Sequence, residues 1–252
     1  PLPVTVIAEL LGVPLADRER FKYWSDQVVG ATPHRDRDAQ MEMSEYFRHM
    51  IQQRSREPQN DLISALLAAQ IDGQHLSEQE LLGFCILLLV AGNETTTNLI
   101  GNAVVCLDEH PEAMEQLRAE PALLPDAIEE VLRYRSPVRM MFRLAARDVE
   151  LDGQQIHAGQ GVAAWISSAN HDEMQFPDAE TFDIRRTPNR HLAFGYGIHF
   201  CIGAPLARLE SKIALEAMLA RFPGLRRKPD MPLEPTGSFV VYGVKHLPVT
   251  YQ

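Results

Sequence analysis

The segment from Ser77 to Leu107 constrains the fold more than any other stretch of the chain. Ser77 and Glu80 stand at the spacing of a capping box, which satisfies backbone N–H groups at a helix start. The helix they open can run until Pro111, whose ring and missing N–H cannot continue it. About 30 residues at 1.5 Å each make a rod roughly 45 Å long. Between Leu82 and Ala91 it is apolar nearly all round, so it is expected to cross the centre of the molecule.

Apolar residues also recur at helical spacing through Val4–Leu11, Asp17–Val29, Arg37–Arg56 and Asn60–Ala69, punctuated by Pro14, Pro33 and Pro58. Shorter helices are expected at Glu112–Ala119 and Asp126–Arg135. The pattern then changes. Val138–Leu151 and Gln155–Ile166 read as strands with turns at Gly153 and Gly159. Residues 170–191 are irregular, and a helix follows Cys201 as far as Phe222-Pro223-Gly224. Phe239–Val244 and Leu247–Tyr251 read as a closing hairpin. The expected class is mainly α with small β-sheets (α+β), as one domain over residues 1–252.

Composition excludes several functions. Hydrophobic residues make up 45% of 252, enough for a sizeable core. A net charge of −10 argues against nucleic acid as a partner. Cys85, Cys106 and Cys201 have no framework spacing and no C-x-x-C, so disulfides are not expected and a reducing compartment is favoured. The longest apolar run, Leu81–Ala91, is too short to span a bilayer, and no signal-peptide pattern is visible. A cytoplasmic location without a membrane anchor is the expectation.

Three patterns carry chemistry. The first is Phe194-Gly195-Tyr196-Gly197-Ile198-His199-Phe200-Cys201-Ile202-Gly203, followed by a helical pattern. Its glycines let the backbone take positive φ and approach a flat ligand. The helix start can stabilise an anionic sulfur, and Phe194 and Phe200 can shield it. Such a lone thiolate suits the axial position of a haem iron. The plainer reading is that Cys201 is a small buried hydrophobe, as most free cysteines are. The second pattern is Ala91-Gly92-Asn93-Glu94-Thr95-Thr96, inside the long helix. Thr95 can hydrogen-bond back to the Ala91 carbonyl and open a groove there, where Glu94 and Thr95 could relay protons. It can equally be a polar turn of an ordinary helix. The third is Glu130-x-x-Arg133, which places opposite charges on one helix face. Glu45…Arg48 and Glu115…Arg118 have the same spacing, so spacing alone does not single it out.

Taken together, these residues resemble the cytochrome P-450 family of haem-thiolate monooxygenases, in its soluble bacterial form. The resemblance implies haem b held by Cys201 as iron ligand, with Phe194, Gly195, Gly203, Ala91 and Gly92 around the cofactor. It assigns Arg143 and His199 to the haem propionates, and Glu94 and Thr95 to oxygen activation. Glu130 and Arg133 become a buried structural pair completed by Arg186, with Arg185 the rival one step away. Leu88, Leu89, Met140, Met141, Phe142, Phe239, Val240 and Val241 would line an apolar substrate pocket. Arg139 could meet a propionate, solvent or a substrate carboxylate.

The activity implied is insertion of one atom of O₂ into a small lipophilic substrate. Electrons would come from a ferredoxin and its reductase, docking near Arg190, His191, Arg208 and Lys212. A peroxide-driven relative, or a non-catalytic partner protein, are the alternatives. The resemblance covers the C-terminal three-fifths of the family's fold and leaves the domain N-terminally incomplete. The family's propionate-gripping Trp- or His-x-x-x-Arg is not found at Trp24 or Trp165.

Overall fold

A computed structural model describes residues 2–29, 37–70 and 72–251, so Pro33 lies outside the described residues. The chain divides after Thr97 into two compact units.

The first unit is helical: α1 (Leu2–Leu10), α2 (Arg18–Val29), α3 (Arg37–Arg56), α4 (Leu62–Ala68) and α5 (Glu78–Glu109) as far as Thr97. Helix α1 closes with a Schellman motif. Val13 N–H reaches the Ala8 carbonyl at 2.8 Å and Gly12 N–H reaches Glu9 at 3.0 Å. Gly12 sits at φ 74°, and a Cβ there would collide with Asp61. That aspartate caps α4 by accepting the Ser64 N–H at 2.8 Å and pairs with Arg54. Phe21, Trp24, Met43, Phe47, Ile63 and Leu89 fill the core, with Phe21 and Phe47 edge-to-face at 5.8 Å.

The capping box forms as spaced: Ser77 N–H donates to Glu80 at 2.8 Å, and Glu80 N–H to Ser77 Oγ at 3.3 Å. Helix α5 then runs 32 residues to Glu109. By length and composition it could cross a membrane, further than the run Leu81–Ala91 indicated. Its middle carries Asn93, Glu94, Thr95, Thr96, Thr97 and Asn98. A charged side chain at the bilayer centre costs about 3 kcal/mol, which counts against a spanning role for α5.

The second unit holds α5 from Asn98, α6 (Pro111–Ala119), α7 (Leu124–Tyr134), α8 (Ile166–Ala169) and α9 (Ala204–Arg221). Leu107, Met114, Leu117, Ile128, Leu132 and Leu215 form its core. The two expected long strands are each split. Strand β1 (Met140–Leu144) pairs antiparallel with β4 (Gly161–Trp165), while β2 (Val149–Leu151) and β3 (Gln154–Ile156) form a hairpin beyond them. Asp152 and Gly153 turn that hairpin with φ of 50° and 76°, the left-handed pair of a type I′ turn.

The expected C-terminal hairpin does not form. Val241 bridges Val138, with Arg139 N–H on the Val240 carbonyl and Tyr242 N–H on Pro137, both at 2.7 Å. Strand β6 (Val249–Thr250) pairs instead with β5 (Arg226–Arg227). Lys245-His246 between the two segments supplies neither the glycine nor the asparagine that a two-residue hairpin turn requires.

Candidate functional site

Glycine geometry shapes the Cys201 loop. Gly195 and Gly197 have φ of 74° and 64°, and a Cβ on Gly195 would press the His199 carbonyl at 3.2 Å. A 3₁₀ turn over Gly197–His199 follows, and the Cys201 N–H returns to the Phe194 carbonyl at 2.8 Å. The loop is thus pinned at both ends of the pattern. Helix α9 starts three residues on at Ala204, with Gly203 as its N-cap; a Cβ on Gly203 would only touch Cys201 Sγ, at 3.8 Å.

Burial sorts the three cysteines. Cys85 and Cys106 are buried, and burial pushes both thiols up to about 12, where they are inert. Cys201 is exposed, which rules out the reading of it as a small core hydrophobe. The expected shielding by Phe194 and Phe200 is not formed, because the sulfur lies open and Phe200 is half exposed. Tyr196, Phe200 and Ile202 are also exposed, and Ile198 is 97% so. A loop that presents a thiol among uncovered apolar side chains fits a flat apolar group ligated through sulfur. Among the described residues no three His, Cys, Asp or Glu side chains gather to hold a bare metal ion. The donor this loop presents is one sulfur, which suits ligation of a haem iron.

In the first unit, Thr95 Oγ1 donates to the Ala91 carbonyl at 2.7 Å. Glu94 is half-buried, and burial, with Asp26 second, raises its carboxyl above the usual range. Asn93 Nδ2 donates to Ser25 at 2.8 Å. A Cβ on Gly92 would stand 2.8 Å from Ile7 Cδ1, so α1 packs close to this glycine. Ala91 is exposed.

Glu130 and Arg133, both fully buried, form a fork with two bonds of 2.8 Å. Arg133 also donates to the carbonyls of Asn170, Ala179 and Thr181. Glu130 accepts from Asp183 N–H and Asn189 Nδ2, and Arg186 Nε lies 3.3 Å away. Arg185 pairs outside this set, with Glu120. The network ties α7 to the irregular segment that leads into the cysteine loop. Asn189 and Asn170 were missed in the sequence, since a lone amide there carries no spacing signal.

Arg143 and His199 are both exposed, and Arg143 has no carboxylate partner among the described residues; its guanidinium touches the Phe142 carbonyl at 2.9 Å. Arg139 Cζ stands 3.9 Å from the centroid of the Tyr242 ring, beside a polar cavity of about 280 Å³ that includes Ser136, Ser167, His171 and Glu180. Two expected pocket residues need correction. Leu89 (0% exposed) and Met140 (5%) are turned into core packing. Met141, Phe142 and Phe239 stay exposed, Leu88 and Val240 intermediate. Of the expected docking residues, His191 is 4% exposed and bonds Glu129, which also chelates Arg208. Lys212 pairs with Glu216 at 2.6 Å, and Arg190 is exposed.

Comparison with known proteins identifies the family. A family profile described as Cytochrome P450 matches residues 20–245, across both units. The chain is 46% identical to "Putative cytochrome P450 YjiB" of Bacillus subtilis (strain 168), over 97% of this chain and 64% of that protein. It is 47% identical to "Cytochrome P450 109" of Bacillus spizizenii (strain ATCC 23059 / NRRL B-14472 / W23), over 99% and 64%. The crystal structure of CYP109E1 from Bacillus megaterium in complex with testosterone superposes with a TM-score of 0.94 at 48% identity, covering all of this chain and 70% of that one. The chain therefore spans about 64% of the length of the curated relatives it matches. On the cysteine loop, the buried Glu130–Arg133 fork and these similarities, the chain belongs to the cytochrome P-450 family.

Proposed function

We propose that this chain is the haem-bearing part of a monooxygenase that places one atom of O₂ into a small lipophilic molecule. The observation that carries the reading is the exposed Cys201, offered by a glycine-shaped loop among uncovered apolar side chains while the other two cysteines are buried. Bound haem b supplies the iron at which O₂ is activated. Cys201 Sγ would hold that iron, and Arg143 and His199 would offer cations or donors to the propionates. Phe194, Gly195 and Gly203 shape the backbone beneath.

Glu94 is proposed to relay protons, as a half-buried acid whose carboxyl burial holds above the usual carboxylate range. Thr95 donates its own hydrogen to Ala91, which leaves its oxygen lone pairs free to accept a proton or a water. Glu130, Arg133 and Arg186 do not touch the chemistry; they hold the chain ahead of the cysteine loop. Met141, Phe142, Phe239 and Val240 are proposed for the apolar wall, which fits a relative whose structure holds testosterone. The partner is proposed to be a ferredoxin-type electron donor and the location cytoplasmic.

The experiment supplies reduced ferredoxin under ¹⁸O₂ to the haem-loaded chain with a panel of steroids, terpenes and fatty acids. One labelled oxygen per product supports the reading. Product formed only with hydrogen peroxide, with none from ferredoxin, would replace it with a peroxygenase.

A further inference from the structure

Glu129 stands beside Glu130 on α7 but belongs to a separate cluster, which the spacing patterns did not signal. Its carboxylate takes Arg208 Nε at 2.6 Å and Nη2 at 2.8 Å, a fork-to-fork pair. It also takes His191 Nε2 at 3.0 Å. His191 Nδ1 accepts the Ala193 N–H at 3.2 Å, so Nε2 carries the hydrogen that it donates to Glu129. Burial alone would raise the Glu129 carboxyl, yet Arg208 and His191 together hold it at about 2. Arg208 is raised above its usual value by Glu129, with a smaller contribution from Cys201. Both charges are therefore permanent at any working pH.

The cation reaches the cysteine loop directly. Arg208 Cζ stands 4.6 Å from the centroid of the Phe194 ring, and the Phe194 carbonyl accepts the Cys201 N–H. Of the pair, it is the guanidinium that stacks on the Phe194 ring of the loop. An electron added to iron held by a thiolate makes that unit more negative, and a fixed cation beside it favours the addition.

We propose that Glu129 and His191 are positioning residues that seat the Arg208 guanidinium against the Cys201 loop, and that this fixed charge raises the reduction potential of the iron that Cys201 holds. This rests on the haem reading above. It also withdraws the buried His191 side chain from the set of contacts for an electron donor.

The test is spectroelectrochemical titration of the haem-loaded full chain, with Arg208→Gln, Glu129→Gln and Arg208→Lys, after the carbon monoxide spectrum has verified thiolate ligation in each. Arg208→Gln should disfavour reduction by about three- to tenfold, up to 59 mV for one electron. Glu129→Gln should favour reduction by a smaller factor, because it removes the negative end while its amide oxygen still accepts from Arg208. Arg208→Lys keeps the charge and should shift less than Arg208→Gln. Opposite signs for the first two variants distinguish charge from scaffolding, since a lost strut moves both the same way. Equal or same-sign shifts overturn the proposal while leaving the haem reading intact. If Arg208→Gln does not fold, Glu129→Gln decides: an unchanged or lowered potential overturns it. A wild-type chain without a thiolate-type spectrum removes the haem reading and this proposal together.

Discussion

Arg133→Ala should cost the second unit most of its stability, and the structure allows the loss to be estimated. A guanidinium has five N–H donors. In Arg133 all are used: Nε and Nη2 on Glu130, Nη1 on Asn170 and Ala179, and Nη2 again on Thr181. Truncation strands the Glu130 carboxylate in a fully buried site with Arg186 as its remaining cation, at 3.3 Å. Removing one partner of a buried pair costs about 3–5 kcal/mol. The Asn170 and Ala179 carbonyls lose these donors as well, at roughly 1–3 kcal/mol each where no water replaces them. These terms are not additive, but even the first is comparable to half the stability of a typical domain, about 5–15 kcal/mol. Arg133→Lys retains the charge and only three donors, so it should recover part of the loss. Urea unfolding followed by tryptophan fluorescence and circular dichroism provides the assay. The exposed pair Lys212–Glu216 serves as control, where Lys212→Ala should change stability by less than about 0.5 kcal/mol. An Arg133→Ala chain within about 1 kcal/mol of wild type would refute the reasoning.

Glu210 is 6% exposed, its Oε2 has no partner, and burial pushes its carboxyl up to about 7. Its folded pKa lies above the unfolded value near 4.3, so its contribution is complete below that value and is lost as pH rises through 7. Stability should fall by up to about 3 kcal/mol from pH 4.5 to 8, and Glu210→Gln should flatten that slope in a urea series; an unchanged slope counts against it. Thr95→Val should leave the melting temperature within a few degrees of wild type. Product per electron consumed should drop at least about tenfold, with hydrogen peroxide released instead, and unchanged coupling would remove Thr95 from proton delivery. Gly12→Ala meets both a φ of 74° and the Asp61 side chain, so it should destabilise by more than about 2 kcal/mol in a thermal melt, and a neutral result would contradict the Schellman ending.

The long-range organisation was legible where local rules are strong. Ser77 with Glu80 and the proline at 111 bracket α5 to within two residues, because caps and prolines act on their own backbone. The pairing of the tail was not legible. Val241 and Val249 are ordinary strand residues, and which earlier segment they join depends on Pro137 and Arg226–Arg227, far away in sequence. The site divides the same way. A cysteine among glycines announces itself, since few other chemistries need that loop. Leu89 looked like lining because a helix pattern gives the face but not the neighbour, and the core claims it. Glu129 was hidden by Glu130, as two adjacent acids on one helix look alike until their partners are known.

The most direct measurement of the central claim is the spectrum of the reduced chain under carbon monoxide, with haem counted per polypeptide. Wild type and Cys106→Ala should each bind one haem with the band typical of thiolate ligation. Cys201→Ser should lose that band while circular dichroism shows the helices intact. A thiolate-type band that survives in Cys201→Ser would contradict the account.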